Sequence, residues 1–548
     1  MNLLLYHKNY KLTKYHILTF FKTQSKQSLI MKPLSKQHEL FASMFEKGKK
    51  NWRIGAAIFA GKLIGTFIVI AAMIILPGLL GTPAHAADKP TETETALMNT
   101  ANTIWTLVAA FLVFGMQAGF VMLEAGFARK KETVNVLMEC IFDTCLCGLL
   151  FWAVGYAFMF SEGNGFIGYH WFFLAGAPAT YMATGIPVLA HWVFQYAFAD
   201  TCSTIVSGAM IGRTSFRGDI LYSIGITGFI YPIIGHWAWG PGGFLANMGF
   251  LDFAGSTVVH TIGGIASLAG AIVLGPRLGR IFRRDDKIKG GMPPAHNLTI
   301  AAVGAFILWF GWYGFNPGST LSAMDMQGIG RVAANTTLAA CAGGFAAMYL
   351  ALWFGPTKGK FDVGFTVNGL LGGLVAITCP CYWVSPLGSI LLGAIAGLVI
   401  FAGTYALEYL RIDDPVGAVP VHGLCGIWGT LSLGLFASGQ YGLTGPTGAD
   451  NSKPFTGLFY GGGFDLLKAQ AIGSGTVVAA TFIIAFAMMF IIRKLPHPWN
   501  LRVEEHGELG KGGLDVFEHG AEAYAEDDDD IDINGLFEGG AVKSPLTV

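Results

Sequence analysis

Eleven apolar stretches, each long enough to cross a bilayer as a helix of about twenty residues, decide what this chain can become. They lie near residues 100–125, 136–160, 187–211, 219–239, 254–275, 297–318, 331–355, 363–379, 386–409, 417–437 and 470–492. Hydrocarbon offers the backbone no hydrogen-bond partners, and a helix satisfies its own. The expected class is therefore an all-α integral membrane protein with eleven transmembrane helices. Composition agrees: 13% of the 548 residues are charged and mean hydropathy is +0.52, where a soluble domain carries roughly 25% charge. Net charge is zero, so bulk charge points to no nucleic-acid partner. The 75 glycines suit close helix–helix approach in a membrane.

Basic residues cluster in alternate loops. Arg129, Lys130 and Lys131 follow the first stretch, Arg213 and Arg217 the third, and the six cations from Arg277 to Lys289 the fifth. Lys358 and Lys360 follow the seventh and Arg411 the ninth, while the other loops hold little beyond Arg331, Lys453 and Lys468. The positive-inside rule places the start of the first helix outside and the tail from Arg493 in the cytoplasm. Ahead of the first helix, Lys47, Lys49, Lys50 and Arg53 lead into an apolar run from Ile54 to Leu80, closed by Ala84-His85-Ala86. That order reads as a secretory signal peptide, with Met31 as a second candidate start and an uncleaved first span as the alternative. The expected organisation is 1–86 as extension and signal peptide, 87–492 as the membrane domain, and 493–548 as a cytoplasmic tail. Its acidic run Asp527–Asp530 is expected to be solvated.

Two stretches repeat one pattern. Asp252-Phe-Ala-Gly-Ser-Thr-Val-Val-His260 heads the fifth apolar segment, and Asp414-Pro-Val-Gly-Ala-Val-Pro-Val-His422 the tenth, 162 residues later. Five helices separate them, so they run oppositely through the membrane, the mark of a five-plus-five inverted repeat with its path at the interface of the halves. Ionisable residues at such depth mark substrate or proton paths. A single histidine there is also compatible with plain packing between helices. The matched pair favours two imidazoles meeting in one lumen. Asp252 and Asp414 fit helix capping, each accepting from free amides at a helix start. The eight cysteines show no zinc-like spacing, and no metal site is expected; Cys379 and Cys381 are a disulfide or nothing, the latter preferred.

Aromatic residues surround these histidines in sequence. Phe194 and Phe198 are four apart on one helix face. Trp312, Phe315 and Ser319 form a stripe at i, i+3 and i+7, and Trp239 ends the fourth stretch before Gly240-Pro-Gly-Gly243. Each group alone suits a core or an interfacial belt. Together, aromatic faces that attract a small cation, a hydroxyl that can accept its proton, and a dry lane that makes passage of a full charge costly specify something narrower.

On these residues the chain resembles the ammonium transporter family (Amt/Mep/Rh), in its Amt branch, over roughly residues 97–525. The resemblance implies homotrimers of eleven-helix subunits in the plasma (inner) membrane, each subunit with its own pore. It implies recruitment of ammonium by Trp239, Phe198 and Ser319, gating by Phe194 and Phe198, a lumen lined by Trp312, Phe315, His260 and His422, and Asp252 as the acid near the recruitment site. It also implies conduction of ammonia with separate proton transfer, no cofactor, and a PII-type signalling protein as a candidate partner at the cytoplasmic face. The tail Gly513–Tyr524 is similar to the family's tail, which packs across neighbouring subunits. Two departures stand out: Gly240–Gly243 is one residue longer than in some bacterial members, and Gly212-Arg213 stands where relatives usually show Glu-Arg. An ammonium sensor is an alternative, recognised by a fused C-terminal signalling domain that the polar tail does not supply. An Rh-type gas channel is another, and should lack the Trp–Ser pair. An enzyme is not expected: no nucleophile elbow or phosphate loop stands out, and no paired carboxylate occurs in the apolar lane.

Overall fold

The structure, a computed structural model, describes residues 91–524 apart from 288, 294, 357–358 and 442–453. The signal-peptide reading of 1–86 and the Asp527–Asp530 run lie outside the described residues. All eleven apolar stretches are helical: α1 Glu92–Phe127, α2 Lys130–Phe160, α3 Val188–Gly208, α4 Phe216–Asn247, α5 Ser256–Leu274, α6 Leu298–Thr320, α7 Met326–Phe354, α8 Val363–Thr378, α9 Pro386–Leu410, α10 Val419–Phe436 and α11 Asp465–Arg493. Nine of these, among the described residues, are long and apolar enough to cross a membrane; α8 is shorter, and α3 is outside the nine. The α3 deficit has a visible cause, since His191, Gln195, Asp200, Ser203 and Thr204 all point into the bundle and are buried. Two short helices follow, α12 Glu505–Leu509 and α13 Gly513–His519.

Local sequence sets the ends. Thr91 and Glu94 close a capping box at the start of α1, satisfying amides that the first turn leaves free. Ser215 caps α4 by accepting from the Gly218 amide, and Ser385 caps α9 by accepting from Gly388. Five-residue turns, 209–213 and 379–383, precede these two caps, so both halves join a helix to a serine-capped one over the same length of chain. Gly212 within the first turn has φ 82°, a left-handed geometry that suits glycine. A Cβ there would lie 2.3 Å from Glu132 Oε1. The carboxylate of Glu132, paired with Arg129, thus fills the space that a side chain at position 212 would take.

The helices pack around small residues. A Cβ on Gly264 would sit 2.1 Å from the Gly423 nitrogen, and one on Gly426 would sit 2.5 Å from the Ser256 carbonyl oxygen. Each glycine stands four residues after its histidine, and each seats the other copy of the repeat. All eight cysteines are free, so Cys379 and Cys381 do not bridge; Cys379 Sγ instead donates to the Leu251 carbonyl at 3.3 Å.

Away from the histidines, a knot of charge fastens the loops. Asp413 takes Arg277 Nε at 2.8 Å and Nη2 at 2.9 Å, and Arg280 Nε at 3.1 Å; Arg280 also pairs with Glu408. The fully buried Arg213 donates to the Asp413 carbonyl at 2.6 Å. Burial alone would raise the Asp413 carboxyl, but Arg277, with Arg213 behind it, holds it well below the usual range. The tail joins this knot. Glu508 accepts from Arg502 at 2.7 Å and from the Leu278 amide, and Asp515 accepts from the Asn135 amide at 2.9 Å.

Candidate functional site

Both histidines sit in single π-helical turns, Ser256–Thr261 and Val419–Leu424. Such turns are rare and frequent at functional sites. The aspartate of each repeat caps the start of its own turn. Asp252 Oδ1 accepts from the Gly255 and Ser256 amides and Oδ2 from Thr257 and Val258, at 2.8–3.0 Å. Asp414 accepts likewise from Gly417, Ala418 and Val419. The chain reverses just ahead of each turn at a glycine of positive φ, Gly255 at 118° and Gly417 at 83°. Capping, as expected, is what both aspartates do. Burial pushes the Asp252 carboxyl up to about 6 against the pull of its four amides, and raises Asp414 against its three amides and Arg213.

The histidines meet. Nδ1 of His260 lies 3.1 Å from Nδ1 of His422, with ring centroids 5.2 Å apart. A hydrogen bond between two Nδ1 atoms needs one donor and one acceptor. With both rings neutral, one therefore carries its proton on Nδ1 and the other on Nε2; moving the shared proton alone would leave an imidazolate beside an imidazolium, so exchange of the tautomers also requires a proton to move at the two Nε2 atoms. Nε2 of His260 is buried without a protein partner.

Above this pair the aromatic rings form a stack. Trp312 and Phe315 lie 5.2 and 5.3 Å from the His260 ring, Phe198 covers Phe315 at 4.0 Å, and Phe194 leans on Phe198 at 4.6 Å. Trp239 meets the edge of Phe198 at 6.2 Å and donates its indole N–H to the Asp252 carbonyl at 2.7 Å. The backbone of the capping residue thereby holds the tryptophan beside the capped turn. Ser319 lies in a 3₁₀ turn beyond the end of the α6 α-helix, and its hydroxyl donates to the Phe315 carbonyl at 2.8 Å, which leaves the oxygen free to accept. Phe194, Phe198, Trp312 and Phe315 are buried, whereas Trp239 and Ser319 are partly exposed. All nine residues singled out in the sequence thus fall in one column, from a partly exposed aromatic–hydroxyl end to the imidazole pair.

The structure adds residues that spacing could not reveal. Phe120 of α1 lies 6.4 Å from the His422 ring, and Thr378 accepts the Trp312 indole N–H at 2.9 Å. A cavity of about 20 Å³ touches His422, and a larger one of about 470 Å³ adjoins it through Asn368, Val416 and Gly417. Five acids in the helices, Glu124, Glu139, Asp143, Asp200 and Asp219, are buried behind the column. Acids inside apolar stretches are themselves a signal, so these were open to detection. Among the described residues no cluster of His, Cys, Asp or Glu has the arrangement of a metal site.

Fold and site together define an all-helical, multi-pass membrane protein of the transporter class. The profile of the Ammonium Transporter Family matches residues 104–524. Ammonium transporter Amt2 of Archaeoglobus fulgidus is 42% identical over 477 residues, covering 84% of this chain and 96% of the relative. A putative ammonium transporter of Synechocystis is 42% identical over 426 residues, 76% and 88%. Among solved structures, a chain titled Sensor Amt Protein shares 34% identity at a TM-score of 0.68, covering 77% of this chain and 99% of its own. Saccharomyces cerevisiae Mep2 shares 26% at 0.68, covering 80% and 96%. The chain belongs to the Ammonium Transporter Family and is an ammonium transporter by kinship.

Proposed function

We propose that the protein takes up ammonium by separating it into ammonia and a proton within the aromatic–histidine column. Ammonium is recruited between Trp239 and Ser319, where an indole face attracts the cation and the hydroxyl oxygen accepts one of its hydrogens. Phe198 and Phe315, stacked at 4.0 Å, block a hydrated ion, because stripping a full charge of its water in an apolar lane is costly. The cation gives up its proton at or below the Phe198 gate, with the N–H electron pair staying on nitrogen. Neutral ammonia crosses beside Trp312, His260 and His422. The proton follows through the imidazoles, whose chemistry suits exchange near neutral pH.

The observation that carries this reading is the buried Nδ1–Nδ1 contact of 3.1 Å beneath the ring stack. Current recorded from reconstituted liposomes after an ammonium pulse tests it. Charge movement that vanishes in His260→Ala and His422→Ala agrees, and equal currents in well-assembled variants refute it. Around this core stand further parts of the reading. There are eleven crossings with the start of α1 outside and the tail inside, and residues 1–86 carry a signal peptide. The subunits form a homotrimer in the inner membrane, and a PII-type protein docks at the cytoplasmic mouth. The activity is transport without catalysis. Likeness to a protein titled Sensor Amt Protein favours a second reading, an ammonium sensor, which the same recording separates: a sensor binds ammonium and passes no current.

A further inference from the structure

The five buried acids have no place in the mechanism so far. Glu124 lies on α1, Glu139 and Asp143 on α2, Asp200 on α3 and Asp219 on α4, each at most 2% exposed. Among the described residues none of them forms an ion pair with a lysine, arginine or histidine. Seven of their oxygens, including both of Asp143, both of Asp200 and Glu124 Oε2, have no hydrogen-bond donor within 3.5 Å. The polar side chains nearest them are neutral: Gln117 stands by Asp200, and the buried hydroxyls of Ser203 and Ser223 face Asp143. Such a set cannot stand as five isolated anions in a membrane interior. It holds exchangeable protons, internal water or both.

The set touches the column at one place. Gln117, Phe120 and Glu124 recur at i, i+3 and i+7, one face of α1. Phe120 packs on His422, and Glu124 and His422 line the same cavity of about 20 Å³. A space of that size admits one water where polar partners line it. Behind Glu124 stand Asp143, Asp219 and Glu139, with the Cys140 thiol among them and Tyr222 donating to Asp219.

We infer that Glu124 receives the proton from His422 across this cavity and passes it into the carboxyl cluster, so that proton and ammonia part below the histidine pair. In the step, the N–H bond of His422 breaks with its electron pair left on the ring. An O–H bond forms on the intervening water as that water gives its own proton to the Glu124 carboxylate. The ring returns to neutral and Glu124 becomes the acid, which then loses the proton to its neighbours or to solvent. The inference rests on the proton-separating reading above.

Reconstituted Glu124→Gln and Glu124→Asp proteins, compared with wild type by ammonium-pulse current from pH 5 to 8, provide the test. Glu124→Gln keeps the shape and loses the proton acceptor, so its current should fall about a hundredfold, the lower end of what a positioned acid–base group contributes. Glu124→Asp should restore part of it, and half-saturation by ammonium should stay as in wild type, because the Trp239–Ser319 end is untouched. Wild-type current at every pH in a well-assembled Glu124→Gln protein overturns the inference while leaving the histidine reading intact. Absence of current in wild type itself removes both. If the variants fail to assemble, infrared difference spectra of wild type decide. An ammonium-dependent change in the carboxylic-acid C=O band is expected, and a flat spectrum there counts against the inference.

Discussion

Trp239 and Ser319 are the two column residues that water reaches, and their chemistry sets how the protein performs when substrate is scarce. A cation–π contact contributes about 0.5–2 kcal/mol, equivalent to roughly a 2- to 30-fold change in affinity. Trp239→Leu and Ser319→Ala should therefore cut uptake at low ammonium by a factor in that range and approach wild type at saturation. Initial rates over a concentration series check this, and an equal loss at every concentration would place the damage in the fold or the lumen instead. The same residues show what a sequence reveals. His260 and His422 were legible because ionisable groups in apolar stretches have few uses, and the rings because helical spacing aligns them. Phe120 and Thr378 were not, since their roles come from contacts across helices, such as the Trp312–Thr378 hydrogen bond at 2.9 Å, which no spacing within one stretch encodes.

At the scale of the element, the paired π turns matter most. The repeat Asp-x₇-His was visible in the chain, and so was the capping role of its aspartates, but the turn type was not. In both copies one carboxylate gathers three or four successive amides around a glycine of positive φ at the start of the π turn. Asp252→Ala and Asp414→Ala each leave several buried amides without an acceptor, at about 1–3 kcal/mol for one such group. Both should lower thermal stability in detergent by several degrees, Asp252→Ala the more because it frees four amides rather than three. The pH dependence has a defined sign. Asp252 is pushed up to about 6, above its unfolded value of about 3.9, so its contribution weakens the fold as pH rises from about 4 to 6 and is constant beyond. Unfolding of Asp252→Asn measured against wild type should lack that slope; identical pH profiles would contradict it. The α3 helix carries the opposite lesson. Its polar residues dilute its hydropathy, yet they face the bundle, so a stretch marginal by composition is among the most enclosed.

Across the whole molecule, charge was read from the sequence as orientation, and the structure shows it also working as a fastening. Asp413 joins Arg277, Arg280 and Arg213, while Glu508 and Asp515 of the tail bind the body beside it. Because Asp413 is held below the usual carboxylate range, its pairing is fully present above about pH 4 and drains away only as pH falls further. Limited proteolysis should find the tail protected at pH 5 and released in Asp413→Asn at the same pH; a tail equally resistant in both would mean that it docks without the knot. Topology is tested separately: a tag at residue 548 should report the cytoplasm and one near Asp88 the outside, whereas a shared side would undo both the eleven-crossing reading and the inverted repeat.

The central claim, that ammonium is split and its proton carried by the imidazole pair, meets its most direct test in one comparison. Purified wild-type, His260→Ala and His422→Ala proteins, matched for assembly, are reconstituted in liposomes and given the same ammonium pulse while current is recorded. The account predicts a charge movement in wild type and its loss, or a strong reduction, in each variant, because either substitution breaks the 3.1 Å contact. Currents in both variants equal to wild type would contradict it.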